Sequence, residues 1–285
     1  MIFTIDPAIC TNCGICAVEC PAKTIRKEKE AARIIPDGCI ECSHCGMVCP
    51  VNAVRVDGRE LPAYPENLDA LQAGELTAHL IKSKRSVRQY STSSVAKKDI
   101  EAILDAGETT ATATNSMHCD AIVLEGTAVA NGAVLAAKML LKFVRIGQNP
   151  AGRFLLRLAG MGRYAKKEMI TGFYRLLLKT VEGAADPIFF HAPTVVILTY
   201  PASRGKRFGR TDCALAAENM MLFAHGRNIE SCVIGFAEAA LYTKKSRRTI
   251  GVPADRKIGI IFTLGYTDRK FFRYPVRKTW TRGAE

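Results

Sequence analysis

The chain has 285 residues and a mass of 31.1 kDa, enough for one large domain or two ordinary ones. Its composition, 48% hydrophobic and 24% charged, excludes collagen-like, disordered and low-complexity proteins. No apolar run approaches the roughly 18 residues of a membrane span, and the N-terminus shows no secretory signal. We therefore expect a cytoplasmic protein with reduced thiols, whose eleven cysteines bind metal or do chemistry.

Eight of the eleven cysteines fall in two ordered runs within the first 49 residues. Each run spells C-x2-C-x2-C-x3-C-P, and the second is displaced from the first by 29 residues. The first run comprises Cys10, Cys13, Cys16 and Cys20, and the second comprises Cys39, Cys42, Cys45 and Cys49. Flanking residues such as Ile5 and Ile34 keep the same offset, which indicates that the repeat covers a whole structural unit.

This spacing suits a cubane iron–sulfur cluster, because three cysteines two residues apart can wrap a tight loop around three irons. Structural zinc is the alternative, but zinc sites usually use two separated C-x2-C or Cys/His pairs. Residues 1–57 resemble a bacterial two-cluster ferredoxin. The resemblance implies that the fourth cysteine of each run ligates the other cluster. One 4Fe-4S cluster would then be held by Cys10, Cys13, Cys16 and Cys49, and the other by Cys39, Cys42, Cys45 and Cys20.

A linker is predicted over residues 58–74, where Pro62 and Pro65 interrupt the chain. A helical pattern then begins at Glu75 and ends in the segment 84–88, whose members are Lys84, Arg85, Ser86, Val87 and Arg88. Three cations around a hydroxyl at the end of a helix can hold a phosphate group, since each cation offers charge-assisted donors. A solvated basic helix end is the alternative interpretation.

The remaining patterns predict alternating helices and strands. In chain order they are a helix at about 97–106, a strand at 120–125, a strand at 193–200, a helix at 212–225 and a strand at 258–266. A Thr/Ala-rich stretch ending in Asn115 and Ser116 precedes the first strand, and a basic tail closes the chain.

Over nearly all of residues 75–285 this order resembles the nitroreductase family of flavoproteins. The family's R-R-S-x-R motif resembles residues 84–88, and its P-S-x-x-N motif resembles residues 111–115. Its central helix with a glycine turn resembles residues 212–235, and its closing R/K-x-x-R segment resembles residues 273–278. The resemblance implies a homodimer with FMN at each dimer interface. The expected fold class is α+β, with a small ferredoxin-type iron–sulfur domain (1–57) fused through the linker to an FMN-dependent nitroreductase-like α+β domain (75–285).

The resemblance also implies a set of FMN contacts. The cofactor's phosphate side would be held by Lys84, Arg85, Ser86, Arg88, Arg277 and Lys278. Asn115 would bond the isoalloxazine edge, and Thr112 would approach from the other subunit. The backbone amides of Ile234 and Gly235 would face flavin N5, where hydride arrives or leaves, and would stabilise the charge of the reduced ring.

The sequence departs from the family pattern in two places. Ala111 stands where the family has proline, and Met117, His118 and Cys119 stand where Gln-Pro-Trp commonly follows the asparagine. A histidine can donate a proton to a reduced substrate because its pKa lies near neutral pH. His118 is therefore a candidate catalytic residue, and a structural histidine is the alternative.

The positive charge is concentrated in one segment. Residues 1–57 carry six Lys/Arg against seven Asp/Glu, whereas residues 138–179 carry ten Lys/Arg and one acid. We expect a basic helical insertion at about 138–180 that covers the flavin and docks an acidic redox partner or an anionic substrate. A solvated helix face is the simplest alternative. Membrane-surface binding is disfavoured, and nucleic acid is not expected, because no recognised binding module accompanies the charge.

The predicted function is a cytoplasmic oxidoreductase in which two 4Fe-4S clusters and FMN exchange electrons to reduce a small nitroaromatic, quinone or activated alkene. The partner would be a low-potential electron donor or acceptor, such as an acidic ferredoxin or flavodoxin, or NAD(P)H, although no Rossmann fingerprint is present. One alternative is a flavin-dependent dehydrogenase that runs in the opposite direction. Another is a non-catalytic electron-transfer or redox-sensing module.

Overall fold

The structure is a computed structural model that describes residues 1–63, 69–156, 158 and 166–275. The chain divides into two compact units. The first unit comprises Met1–Ala73 and Thr112–Met117, and the second comprises Gly74–Ala111 and His118–Glu285. The segment 112–117, which the sequence assigned to the flavin domain, is therefore grouped with the cysteine-rich unit.

The first unit is built from short strands and two short helices. Its strands are β1 (Phe3–Ile5), β2 (Ile25–Lys27), β3 (Ala32–Ile34), β4 (Val54–Val56) and β5 (Arg59–Glu60), and its helices are α1 (Ile15–Glu19) and α2 (His44–Met47). Strand β4 lies between β1 and β5, and β2 pairs with β3, all antiparallel.

The 29-residue repeat is visible in this backbone. Ile5 pairs with Val54 and Ile25 pairs with Ile34, so each strand pair joins one half of the repeat to the other. Equivalent loop positions share a left-handed conformation, as Gly14 (φ 82°) and Ser43 (φ 62°) show. Since the apolar core of this unit is small, the cysteine loops account for much of its interior.

The regular structure reaches into the predicted linker from both sides. Strand β5 continues the first unit's sheet beyond residue 57, and helix α3 (Ala70–Ser83) begins five residues before Glu75. The helix starts early because the Asp69 carboxylate accepts hydrogen bonds from the backbone amides of Leu71 and Gln72, at 2.8 and 3.0 Å. As domain bounds, residues 57 and 75 stay predictions.

The second unit combines one four-stranded antiparallel sheet with helices on both faces. After α3 come α4 (Lys97–Glu108), β6 (Asp120–Glu125), α5 (Thr127–Ile146), α6 (Pro150–Leu156), α7 (Lys167–Val181), β7 (Thr194–Pro201), α8 (Lys206–Gly226), β8 (Glu230–Val233), α9 (Gly235–Ala240), α10 (Lys244–Thr249) and β9 (Arg256–Gly265). The strand order is β6-β7-β9-β8.

Alternate residues of β7 supply two separate apolar cores. Val195 and Ile197 pack with residues of α5, α7 and α9, whereas Val196 and Leu198 pack with residues of α4 and α8. A strand that is buried on both faces reads as a continuous apolar run, which is how the sequence presents it. The predicted α+β class is confirmed, and the predicted strands agree with β6, β7 and β9 to within two residues.

The predicted basic insertion needs correction at its start. Residue 138 lies in the middle of α5, a core helix that begins at Thr127 and buries Ala133, Ala136 and Ala137. Among the helices of the described ranges, only α5 is long and apolar enough to cross a membrane by those two criteria. The sequence does not show α5 as an uninterrupted apolar run, because Lys138 and Lys142 lie within it. The buried face of α5 packs in one of the two apolar cores of the second unit.

Candidate iron–sulfur and flavin sites

The first unit contains two cavities lined by cysteines. One cavity is lined by Cys10, Cys13, Cys16 and Cys49. The second cavity is lined by Cys20, Cys39, Cys42 and Cys45. Each set combines three cysteines of one run with the last cysteine of the other. The fold thus brings together the members of each predicted ligand set, and their role as iron ligands stays a prediction.

Backbone amides point at the cysteine sulfurs in repeat-related places. The amide of Thr24 lies 3.4 Å from Cys20 Sγ, and the amide of Ala53 lies 3.2 Å from Cys49 Sγ. Both the donors and the sulfurs are related by the 29-residue offset. Amide donors of this kind stabilise cluster thiolates and tune their reduction potential, so the arrangement fits a 4Fe-4S cluster.

The thiol of Cys45 resists ionisation. Burial, together with the neighbouring Cys42 and Cys16 when they are charged, raises the pKa of Cys45 to about 11. Ionisation of this thiol therefore calls for a bound cation. In the part of the chain that the structure describes, no three Cys, His, Asp or Glu residues are placed to hold a single metal ion. Runs of cysteines two residues apart, with the fourth ligand taken from the other run, suit a cluster better than one zinc ion.

The predicted phosphate-binding segment docks on strand β8 of the second unit. Ser86 and Ser231 form a parallel bridge, and the amide of Val87 donates to the Ser231 carbonyl at 3.0 Å. Because β8 leads directly into Ile234 and Gly235, this contact brings two predicted flavin contacts, far apart in sequence, to one end of the sheet.

The cationic side chains of this segment are held in different ways. Lys84 Nζ lies 3.7 Å from Glu218 Oε2, while Arg85 donates to the carbonyls of Lys82 and Lys84 at the end of α3. The Arg88 guanidinium donates to the Ser86 carbonyl at 3.3 Å. The Ser86 side chain is exposed. The segment therefore presents two cations and a hydroxyl on one short stretch, which fits a phosphate group.

One residue on β8, Ser231, escaped the sequence analysis. The Ser231 hydroxyl is buried and has no hydrogen-bond partner among the described residues. Burial raises the pKa of its neighbour Cys232, and the nearby Arg88 and Ser86 oppose that shift. A buried hydroxyl without a partner is costly unless a ligand satisfies it. The only sequence signal was a Ser-Cys pair in an apolar strand, which by itself indicates core.

The prediction for Ile234 needs correction. Its amide donates to the Ile261 carbonyl at 2.8 Å, because the β8–β9 ladder continues one residue beyond the strand. That amide is therefore engaged in the sheet and cannot also serve flavin N5. Gly235 is exposed at the first position of α9, and a Cβ added there would meet no atom within 4 Å. Of the two predicted donors, only the Gly235 amide keeps its assignment.

The segment 112–117 lies with the first unit. Asn115 Nδ2 donates to the Ile40 carbonyl at 3.0 Å, and Thr112 Oγ1 accepts a bond from the Met117 amide at 3.0 Å. Asn115 therefore bonds the loop between two cysteines of the second run. Arg277 and Lys278, also predicted to hold FMN, lie outside the described residues.

His118 is enclosed in a polar group of the second unit. Its side chain is 9% exposed, and Nε2 lies 3.4 Å from Asp212 Oδ2. Burial lowers the pKa of His118, Arg204 and Arg256 lower it further, and Asp212 opposes them. This enclosure favours the structural interpretation of His118, and its predicted catalytic role stays a prediction.

Comparison with known proteins agrees with both halves of this description. Residues 81–266 match the Nitroreductase family, and residues 2–50 match a 4Fe-4S dicluster domain. No curated protein sequence matches the chain.

Two solved structures share the fold. A nitroreductase with bound FMN from Bacteroides fragilis is 20% identical, with a TM-score of 0.52 over 73% of this chain and 97% of that one. A nitroreductase with bound FMN from Desulfitobacterium hafniense is 16% identical, with a TM-score of 0.51 over 71% and 94% of the two chains. The family match covers most of the chain, which therefore belongs to the nitroreductase family, as an FMN-dependent oxidoreductase with an N-terminal 4Fe-4S ferredoxin domain.

Proposed function

We propose that the ferredoxin domain holds two 4Fe-4S clusters that pass electrons to FMN, and that the enzyme reduces a small electrophile such as a nitroaromatic, a quinone or an activated alkene. FMN, when bound, exchanges electrons singly with a cluster and in pairs with a substrate. A family member that carries its own one-electron centres therefore has a built-in source for a two-electron reduction.

The hydrogen bond from Asn115 to the Ile40 carbonyl carries this proposal. Asn115 belongs to the segment whose family counterpart holds the flavin edge. Ile40 lies between Cys39 and Cys42 of the second cysteine run. The amide Nδ2 is used by this bond, while the amide oxygen Oδ1 can still accept from a ligand. The segment whose family counterpart holds the flavin edge thus also bonds the loop that would hold a cluster.

In the second unit, the chain's own groups would bind and orient the cofactor. Lys84 and Arg88 would neutralise the phosphate, and the exposed Ser86 hydroxyl would donate to it. The Gly235 amide would stabilise negative charge on the reduced ring without committing a side chain. The buried Ser231 hydroxyl would gain a partner when the site is filled.

We further propose a cytoplasmic homodimer that receives its electrons from an acidic low-potential protein. Seven cations of the basic segment have exposed side chains: Lys138, Lys142, Arg145, Lys166, Lys167, Arg175 and Lys179. They lie on or beside α5 and α7, which pack against each other. This concentration of exposed positive charge would accelerate encounter with an acidic carrier, and the rate of reduction should fall steeply with ionic strength. A rate that is independent of salt would contradict this step.

The cluster assignment can be tested by iron and sulfide analysis of anaerobically purified protein. Cys49→Ala removes a ligand from the first set and Cys20→Ala from the second, so each variant should keep one intact 4Fe-4S cluster. Cys232→Ala is the matched control, because this buried thiol lines neither cysteine cavity. Zinc in place of iron, or equal loss of both clusters with Cys232→Ala, would refute the assignment.

Electron transfer can be tested by mixing anaerobic protein with a dithionite-reduced low-potential ferredoxin and following cluster and flavin absorbance. The clusters should be reduced first and the flavin second, after which a nitroaromatic or quinone should reoxidise both. Asn115→Ala should slow the flavin phase, while Gln148→Ala, which removes an exposed amide, should not. Flavin that accepts electrons from NAD(P)H but never from the clusters would reject the proposal. Reduced flavin that reacts with no small acceptor would favour a non-catalytic module.

A further inference from the structure

Two cysteines outside both cysteine runs lie side by side in the second unit. Cys119 immediately precedes β6 and Cys213 lies in α8, and their sulfur atoms are 3.5 Å apart. Cys213 is fully buried, whereas Cys119 is half-buried. The pair therefore combines a partly accessible thiol with an enclosed one, and the two sulfur atoms are in van der Waals contact.

The packing around the pair holds one sulfur in place. A Cβ added at Gly259 of β9 would lie 2.5 Å from Cys213 Sγ. The glycine therefore makes room for the cysteine, and the strand backbone supports Cys213 from behind. Movement toward a shorter sulfur–sulfur distance would fall to Cys119, which sits at the end of a loop rather than within a helix.

A fixed cation flanks Cys119. The Arg256 guanidinium bonds the Asp120 carboxylate at 2.9 Å and the His118 carbonyl at 2.6 Å, on either side of Cys119 along the chain. The hydrogen bond from Cys213 lowers the pKa of Cys119, against the effects of burial and of the Asp212 carboxylate, and Arg256 also lowers it. The same bond, together with burial, raises the pKa of Cys213. Negative charge therefore belongs on Cys119 and the proton on Cys213, which is the division of roles between an attacking and a resolving thiol.

We propose that Cys119 and Cys213 form a hydroperoxide-reactive dithiol site that closes to an intramolecular disulfide. The Cys119 thiolate attacks one peroxide oxygen, the O–O bond breaks, and the leaving oxygen takes a proton, which leaves a sulfenic acid on Cys119. The sulfur of Cys213 then attacks the Cys119 sulfur. The S–O bond breaks, the S–S bond forms, and the thiol proton leaves with the hydroxyl as water. The two thiols lose two electrons, and one molecule of hydrogen peroxide becomes two of water.

The dithiol site does not depend on the flavin and cluster assignments. Its test is made on the holoprotein. Anaerobic protein is titrated with hydrogen peroxide up to one equivalent per chain, quenched with an alkylating agent and mapped by peptide mass spectrometry, while cluster and flavin absorbance are followed. We expect a linked peptide pair containing Cys119 and Cys213, lighter than the free pair by two hydrogen atoms, before any cluster is lost. Oxidation of Cys119 to sulfinic acid without a link to Cys213 would overturn the proposal.

Three serine variants separate the roles. Cys213→Ser should stop at a sulfenic acid on Cys119 that a dimedone probe traps. Cys119→Ser should consume peroxide at least about tenfold more slowly, because the remaining thiol is completely buried. Cys232→Ser should react with peroxide as wild type does, since the Cys232 thiol is buried in strand β8. Equal rates of loss for Cys119 and Cys232 in the wild-type protein would also contradict the proposal, and this comparison needs no variant to fold.

Discussion

The ammonium group of Lys84 lies 3.7 Å from a carboxylate oxygen of Glu218 on helix α8. Lys84 is one of the cations that we assign to the FMN phosphate, so a carboxylate at this distance opposes binding of an anion. We predict that Glu218→Gln lowers the dissociation constant for FMN by about threefold, since a partly exposed charge pair is worth up to about 1 kcal/mol. Fluorescence titration of apoprotein with FMN measures it. Glu168→Gln, which removes an exposed acid of α7, is the matched control.

Equivalent loops of the two cysteine runs differ at one informative position. Gly14 in the first run and Ser43 in the second both adopt positive φ, at 82° and 62°. Any residue other than glycine is strained in this region by roughly 1–2 kcal/mol. We predict that Gly14→Ser speeds the thermal loss of cluster absorbance, whereas Ser43→Gly slows it slightly, because glycine's larger unfolded-state entropy offsets part of the gain. Faster bleaching of Ser43→Gly than of Gly14→Ser would contradict this expectation.

The cysteine half of the protein could be predicted from sequence in detail, because its ligands repeat at a fixed offset and its strands follow them. The flavin half could be predicted only as an order of elements. The hydrogen bond from the Ile234 amide to the Ile261 carbonyl depends on where the β8–β9 ladder ends. No local sequence pattern encodes that end. That residues 112–117 are grouped with the first unit depends on a contact between Asn115 and Ile40, 75 residues apart. Tertiary pairing of this kind leaves no periodic signal.

The buried histidine should make stability depend on pH. Burial, aided by Arg204 and Arg256, lowers the pKa of His118 below its ordinary value of 6.5. The histidine therefore binds a proton more readily in the unfolded chain than in the folded chain. Its contribution to stability is full above pH 6.5 and is lost as pH falls below that value. We predict that the unfolding free energy of wild type, measured against His118→Gln in urea, declines from about pH 6.5 downward. His191→Gln replaces an exposed histidine and keeps His118, so its unfolding free energy should show the same decline as wild type. A difference that stays constant with pH would contradict the prediction.

Two helical glycines should respond oppositely to alanine. A Cβ at Gly209 of α8 would lie 2.1 Å from the ring of Tyr200, which is almost completely buried on β7, whereas a Cβ at Gly172 of α7 would meet no atom within 4 Å. We predict that Gly172→Ala stabilises the protein by about 0.5–1 kcal/mol through its better helix propensity. Gly209→Ala should destabilise it by about 1–3 kcal/mol, because the tyrosine ring must move within a packed core. Denaturant unfolding of both variants gives the comparison. If Gly209→Ala were as stable as Gly172→Ala, helix α8 could not lie so close to strand β7. The positions of Glu218 and Cys213, which both lie on α8, would then have to be revised.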